Sequence, residues 1–227
     1  MAIVKLAFKS LYNRRGTALL TIFAIAVSVS LLLGVERVRT QAKESFANTI
    51  SDTDLIIGAR TGPVQLLLYS VFRIGNATNN ISWQSYEDIA KQKSVKWTVP
   101  LSLGDSHRGY RVLGTNEDYF KHYRFGQSQP LTFSQGQPFS SLFETVIGYE
   151  VARKLKYNIG DKIIIAHGAG STSFTKHDQM PFTISGILAP TSTPVDKTVH
   201  VSLPAIEAIH LGWNNGAPPV TGSVDPS

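Results

Sequence analysis

One loop in the chain has the composition of a phosphate-binding loop. It is the run GAGSTSFT at residues 168–175, which is rich in glycine and small hydroxyl residues. A Walker A loop has the pattern G-x-x-x-x-G-K-[ST], and its lysine reaches the terminal phosphates of the nucleotide. That pattern occurs nowhere in the chain. We therefore interpret residues 168–175 as a hairpin loop and expect no ATP hydrolysis through this motif.

The histidines are the next groups that could do chemistry. No two of them have the i,i+4 spacing that places two metal ligands on one helix face, and no H-E-x-x-H motif occurs. His167 and His177 flank the small-residue loop and could meet across a hairpin, with Asp178 beside them. Because two histidines near a hairpin usually bind nothing, we predict no metal site. The six histidines are His107, His122, His167, His177, His200 and His210.

The remaining chemistry-bearing residues form no recognisable catalytic set. There is no cysteine, which excludes disulfides, cysteine nucleophiles and thiolate metal sites, and there is no G-x-S-x-G nucleophile elbow. Glu144, Glu150, Asp161 and Asp196 are isolated carboxylates at predicted turns or strand ends. We predict no catalytic residue, no cofactor and no enzymatic activity in this chain.

An uncharged run from Gly16 to Val35 determines where the rest of the chain lies relative to a membrane. It is twenty residues long. An α-helix rises about 1.5 Å per residue, so such a run reaches about 30 Å, the thickness of the hydrocarbon core of a bilayer. The run predicts a transmembrane helix over residues 16–35. The predicted span includes Gly16, Leu19, Phe23, Val27, Leu31 and Val35.

The charges before this run predict its orientation. Lys5, Lys9, Arg14 and Arg15 precede it, and no acidic residue does. Since Lys and Arg accumulate on the cytoplasmic side of a span, we expect a cytoplasmic N-terminus and a periplasmic domain after the span.

A cleaved signal peptide is the main alternative to a permanent span. Its apolar region is usually about 7–15 residues long and ends in a small-x-small cleavage site. The run here is longer and leads into the charged residues 36–39, so we favour an uncleaved helix. In residues 2–13 the apolar side chains recur with the period of an α-helix. The segment fits either an amphipathic helix on the membrane surface or a basic segment that only sets the orientation of the span.

The net charge does not indicate nucleic-acid binding. The chain has 22 Lys and Arg residues against 16 Asp and Glu residues, a net charge of +6. The first 35 residues hold four of the basic residues and none of the acidic ones, so the remainder is close to neutral. No basic block with interleaved aromatic residues occurs, and we expect no nucleic-acid partner.

The rest of the chain predicts a mixed α+β domain, because strands and short helices follow one another without βαβ alternation. Helices are predicted at residues 64–74, 83–91, 149–155 and 204–210, and strands at residues 54–58, 95–101, 110–114, 144–148, 162–166, 182–188 and 199–202, with a turn-rich stretch at 132–138. The apolar run 64–74 could be a helix on the core or an apolar surface near the membrane.

These elements predict five segments. They are a cytoplasmic amphipathic segment at 1–15, a transmembrane helix at 16–35, a periplasmic helical stalk at 36–48, a periplasmic core domain at 49–215 and a loose tail at 216–227.

The order of these features resembles that of a known family. The N-terminal stretch LAFKSLYNRRGTALLTIFAIAVSVSLLLGV is similar to the opening of FtsX-like and MacB-like permeases of bacterial ABC transporters. Residues 145–166 (TVIGYEVARKLKYNIGDKIIIA), 182–188 (FTISGIL) and 196–210 (DKTVHVSLPAIEAIH) resemble successive parts of the periplasmic core of that family. The individual motifs are loose, and their collinear order carries the resemblance.

The resemblance implies a function in transport. Permeases of this family have one span, a large periplasmic domain and three further spans, whereas no second run of that length follows Val35 here. The chain thus resembles a permease or its N-terminal part in the bacterial inner membrane. The implied partners are a cytoplasmic ABC ATPase subunit, a second permease copy or paralogue, and the lipid bilayer.

By the same resemblance, ATP hydrolysis in the partner would move the periplasmic domain for export or envelope work, a mode called mechanotransmission. The alternative from the residues alone is a single-pass, membrane-anchored periplasmic binding or scaffold module.

Overall fold

The computed structural model describes residues 2–75, 79–167 and 180–210. The chain divides into two compact units, residues 1–46 and 47–227. The first unit is helical, and the second contains a sheet with helices. An α+β class with one apolar helix at the N-terminus, as predicted from the sequence, is confirmed. The predicted loop at 168–175, together with His177, Asp178 and the tail at 216–227, lies outside the described residues.

Two helices account for the first unit. Helix α1 covers Ala2–Asn13, and helix α2 covers Arg15–Thr49, so that its last residues belong to the second unit. Within the described ranges, Arg15–Gln41 is the one helical stretch long and apolar enough to cross a bilayer. The helix predicted after the span is confirmed, because α2 continues without a break through residues 36–48.

The described residues of the second unit form five short α-helices. Serine side chains begin two of them: Ser82 Oγ accepts a hydrogen bond from Ser85 N at 3.1 Å, and Ser202 Oγ accepts one from Ala205 N at 3.3 Å. Such N-caps satisfy amide groups that the first turn of a helix leaves unpaired. The helices are α3 (Pro63–Ser70), α4 (Trp83–Ala90), α5 (Asp118–His122), α6 (Tyr149–Leu155) and α7 (Leu203–Ile209), with a 3₁₀ turn at Pro194–Lys197.

The strands form one mixed sheet and a small hairpin. They are β1 (Ser102–His107), β2 (Tyr110–Thr115), β3 (Arg124–Phe125), β4 (Gln129–Pro130), β5 (Phe133–Gly136), β6 (Glu144–Ile147), β7 (Lys162–Ile163), β8 (Ala166–His167), β9 (Phe182–Leu188) and β10 (Thr198–Ser202). The large sheet has the order β5-β9-β6-β10-β2-β1-β8, with β7 also paired to β9, and β3 and β4 form a separate two-stranded sheet. The β10–β2 and β6–β9 pairs are parallel, and the other pairs are antiparallel.

Both faces of the central strands are buried. In β2, Val112 packs with α6 and α7 on one face, and its neighbour Leu113 packs with Tyr119 and Phe120 of α5 on the other. Strands β6 and β10 alternate in the same way, since successive side chains of a strand point to opposite faces. The sheet therefore separates two apolar clusters.

The structure corrects several sequence predictions. The predicted strands at 54–58 and 95–101 are wrong, because neither segment pairs with another strand. The stretch 132–138, predicted as turns, contains β5. The predicted strand at 162–166 is two short strands, β7 and β8, which pair with different neighbours. The helix predicted at 64–74 ends at Ser70.

Other expectations are confirmed. The structure contains the predicted helices at 83–91, 149–155 and 204–210 and the predicted strands at 110–114, 144–148, 182–188 and 199–202, each within one residue at either end.

A neutral histidine lies at the centre of the sheet. His200 of β10 is fully buried, with its ring 5.3 Å from that of Tyr119. Its Nδ1 lies 3.2 Å from the carbonyl oxygen of Val146 and donates to it, because a carbonyl can only accept. Burial, and then the positive charge of Arg73, lower the pKa of His200 from 6.5 to about 3.

This histidine predicts a dependence of stability on pH. Between pH 6.5 and about pH 3, the unfolded chain binds a proton at His200 that the folded chain does not bind. The free energy of unfolding therefore falls as the pH falls through that window, by up to about 1.4 kcal/mol per pH unit from this residue. We expect His200→Gln to flatten the slope by that amount. Urea unfolding of the full chain in detergent, at several pH values in the window, measures the slope.

The matched control is His122→Gln, since His122 is only half-buried. It should keep the slope of the parent chain. An unchanged slope in His200→Gln would contradict the assignment of a neutral, buried imidazole.

Two glycines give a matched test of packing in the second unit. Gly148 begins α6 and Gly62 begins α3, with nearly the same backbone conformation (φ −69° and −66°). A Cβ at Gly148 would lie 2.3 Å from the carbonyl oxygen of Val195, whereas a Cβ at Gly62 would meet nothing within 4 Å. We expect Gly148→Ala to lower the free energy of unfolding by about 1–3 kcal/mol more than Gly62→Ala, because backbone atoms cannot move aside. Equal unfolding midpoints in urea would refute this packing.

Candidate functional site

A cavity lies in the second unit, beside the face of the sheet that α5 covers. Its volume is ≈270 Å³. The walls come from residues 50–61, helices α3 and α4, residues 97–103, and Tyr119 and Tyr123. Both segments wrongly predicted as strands thus line this cavity.

The walls of the cavity are mostly apolar. Leu66 of α3 packs closely over Gly58: a Cβ at residue 58 would lie 2.5 Å from Leu66 Cδ1, so this leucine would have to shift. At the rim, Leu55 remains 71% exposed and Ile57 remains 47% exposed. These side chains lie in contact with solvent and with the apolar interior, so a molecule that enters the cavity meets apolar surface first.

One end of the cavity carries a positive charge. Arg73 lines the cavity and is 8% exposed. The chain turns sharply at this residue, which has φ +61° and follows the end of α3. Its Nη1 donates to the carbonyl oxygen of Ser70, and its Nη2 donates to the hydroxyl of Tyr119 at 3.3 Å. Its Nε is buried and has no hydrogen-bond partner in the part of the chain that the structure describes.

Tyrosines surround this guanidinium. The rings of Tyr119 and Tyr123 lie 5.0 Å apart, and Tyr69 Oη donates to the carbonyl oxygen of Leu103. Burial raises the pKa of Tyr119, although the charge of Arg73 opposes this effect. Burial also raises the pKa of Tyr123. Both phenols are therefore neutral hydrogen-bonding groups at neutral pH.

The end of α2 is attached to the same region. Tyr123 Oη donates to the carbonyl oxygen of Thr49, the last residue of α2. Two residues later, Ser51 N donates to the carbonyl oxygen of Arg124 at 2.9 Å, and Ser51 Oγ donates to that of Gly126 at 3.0 Å. These bonds fix the residues that follow the helix onto the β3–β4 hairpin.

This arrangement is suited to binding an apolar molecule. Among the described residues that line the cavity, Arg73 is the one cation. The described parts of the chain contain no group of three His, Asp or Glu side chains placed to hold a metal ion. His167 is in β8, but its predicted partner His177 lies outside those parts, so the prediction about this pair stays untested.

The predicted membrane residues all lie on α2. The five larger apolar side chains are between 40% and 68% exposed, and Gly16 has no neighbour within 4 Å of a Cβ built on it. The five are Leu19, Phe23, Val27, Leu31 and Val35. The predicted topology-setting residues Lys5, Lys9, Arg14 and Arg15 are exposed on or beside α1 and at the start of α2.

Sequence reasoning missed the cavity. The available signal was a lone arginine, Arg73, at the end of the apolar run 64–74, and two tyrosines at i,i+4 spacing, Tyr119 and Tyr123. Nothing in the sequence shows that Arg73 and Tyr119, 46 positions apart, are hydrogen-bonded.

Comparison with known proteins identifies the family. A model of the MacB-like periplasmic core domain matches residues 18–221, which include the cavity and the whole sheet. No curated protein matches the chain. With the apolar helix α2, the match indicates a membrane-anchored protein with an extracellular domain. The chain therefore belongs to the MacB-like family of ABC-transporter permeases, and its sheet-containing unit is the MacB-like periplasmic core domain.

Proposed function

We propose that this chain is the permease subunit, or the N-terminal part of one, of a bacterial ABC transporter in the inner membrane. A separate cytoplasmic ABC ATPase hydrolyses ATP, and the permease works beside a second permease copy or a paralogue. The core domain then converts movement at the membrane into export or envelope work. Membership of the MacB-like family supports this assignment.

The continuity of α2 is the observation that carries the proposal. The helix has 35 residues and is about 52 Å long at 1.5 Å per residue, which exceeds the hydrocarbon core of about 30 Å. No glycine or proline occurs between Val35 and Thr49. An unbroken helix transmits an axial displacement better than a flexible linker does. Its end is hydrogen-bonded to Tyr123, so a displacement reaches the core domain.

The proposed segments follow from this arrangement. Residues 1–15 are cytoplasmic and amphipathic, residues 16–35 cross the membrane, residues 36–48 form the periplasmic stalk, residues 49–215 form the core domain, and residues 216–227 form a tail. The four basic residues before the span hold the N-terminus in the cytoplasm.

Cysteine labelling in intact cells tests this topology. The chain has no native cysteine, so Ser10→Cys and Ser141→Cys each introduce a unique thiol at an exposed position. We expect a membrane-impermeant maleimide to label Ser141→Cys in spheroplasts and to label Ser10→Cys only after lysis. Replacement of Lys5, Lys9, Arg14 and Arg15 by glutamine should weaken this asymmetry.

Two results would contradict the topology. One is labelling of Ser10→Cys before lysis. The other is loss of residue 10 from the mature protein, which would mean that a signal peptide had been cleaved.

A pair of insertions after Gln41, where the candidate span ends, tests the coupling. Four alanines preserve a helix, whereas four glycines introduce a flexible joint of equal length. We expect an ABC ATPase to co-purify with the tagged full chain from its native membranes. Vanadate-trapped ATP should change amide hydrogen exchange of residues 49–56 in the parent chain and in the alanine insertion, but not in the glycine insertion.

The proposal fails if no ATPase activity accompanies the chain or if both insertions respond equally. A core domain that binds an envelope partner at full affinity without any nucleotide effect would instead favour an anchored binding or scaffold module.

A further inference from the structure

We propose that the cavity binds a single-chain amphipathic acid, with its acidic head group on Arg73 and its hydrocarbon chain along the apolar walls. The relevant chemistry is one anionic group on a medium-length alkyl chain, either a carboxylate or a phosphate monoester. This binding does not depend on an ATPase partner.

The first argument is that Arg73 carries a buried charge without an acidic partner. Among the described residues, no carboxylate lies within 4.0 Å of its guanidinium. The buried carboxylate of Asp196 accepts instead from Thr191 N and from Ser192 N, each at 2.8 Å. A buried cation without a partner is strongly unfavourable, so the site is suited to an anion that enters from outside.

The second argument is the number of hydrogen-bond donors that have no acceptor. A guanidinium has five N–H donors. Arg73 uses Nη1 on the Ser70 carbonyl and Nη2 on the Tyr119 hydroxyl, whereas its Nε–H has no partner among the residues described. The Tyr119 hydroxyl accepts from Arg73, and no described group accepts its proton. The Arg73 guanidinium and the Tyr119 hydroxyl are hydrogen-bonded to each other, so the two remaining donors belong to neighbouring groups.

The third argument is the size and the lining of the cavity. An engineered apolar cavity of about 150 Å³ binds benzene. The present cavity, at ≈270 Å³, is larger than that but lies just below the range of about 300–1,000 Å³ typical of small-molecule pockets. It has room for one alkyl chain and is too small for a two-chain phospholipid. The exposed Leu55 and Ile57 at the rim give such a chain an apolar entrance.

Trp97 provides a built-in reporter, because it lines the cavity. The other two tryptophans are Trp83 and Trp213, so a chain with Trp83→Phe and Trp213→Phe fluoresces from Trp97 alone. A ligand with bromine at the end of its chain quenches this fluorescence on contact. The probes are bromodecanoic acid, bromodecyl phosphate and the neutral bromodecanol. The full chain is held in lipid nanodiscs, and partition into empty nanodiscs is measured separately.

We expect at least one of the two acids to bind about tenfold or more tightly than the alcohol, since hydrogen bonds to a charged group are the stronger ones. Arg73→Met should abolish this preference, because it keeps the length of the side chain and removes the charge. Arg60→Met is the matched control: Arg60 is exposed, adjoins two lining residues and does not itself line the cavity, so its loss should leave the preference intact.

If Arg73→Met does not fold, Tyr119→Phe serves as a second variant, and it should weaken binding of the acid severalfold while binding of the alcohol stays the same. Competition by acetate or by inorganic phosphate shows whether the site prefers a carboxylate or a phosphate head group. Equal affinity for acid and alcohol, absence of quenching, or retention of the preference in Arg73→Met would each overturn the proposal.

Discussion

The structure depends on a helix whose apolar surface the chain itself does not cover. The apolar window within Arg15–Gln41 is 0% buried. Each exposed side chain of leucine, valine or phenylalanine costs about 1.5–3 kcal/mol in water relative to an apolar environment, so this window of the helix requires lipid or an apolar partner. The second unit has its own core on both faces of a sheet and needs no such cover. The division of the chain into two units follows from these opposite solvent requirements.

The elements that the sequence predicted well are those whose local pattern and tertiary role agree. Strand β9 and helix α6 have the predicted bounds. A strand was predicted from the alternating apolar residues Val95, Trp97, Val99 and Leu101. Three of these side chains line the cavity instead, and the backbone of this described segment has no strand conformation. Apolar alternation reports which side chains avoid water, and it does not distinguish a sheet from the wall of a cavity.

Other elements were missed because their sequences carry no apolar pattern. Strand β1 reads SLGDSH, in which the buried residues include Asp105, Ser106 and His107. At least one of these polar side chains is hydrogen-bonded to distant parts of the chain. His107, for example, is hydrogen-bonded through Nδ1 to the carbonyl oxygen of Ile164 and through Nε2 to Tyr157 Oη. Contacts between residues 50 or more positions apart are tertiary information, and a single sequence read for local pattern does not contain them.

The cavity and the end of α2 share one short helix and the residue after it. Tyr123 holds the carbonyl of Thr49, its ring packs against that of Tyr119, and the Tyr119 hydroxyl accepts from Arg73. A pull on the last turn of α2 and a ligand on Arg73 therefore act on adjacent side chains. If movement of α2 changes the affinity of the cavity for its ligand, the ligand must change the energy of that movement by the same amount. In the proposed coupling, a ligand on Arg73 and a movement of α2 therefore act through side chains that are in contact.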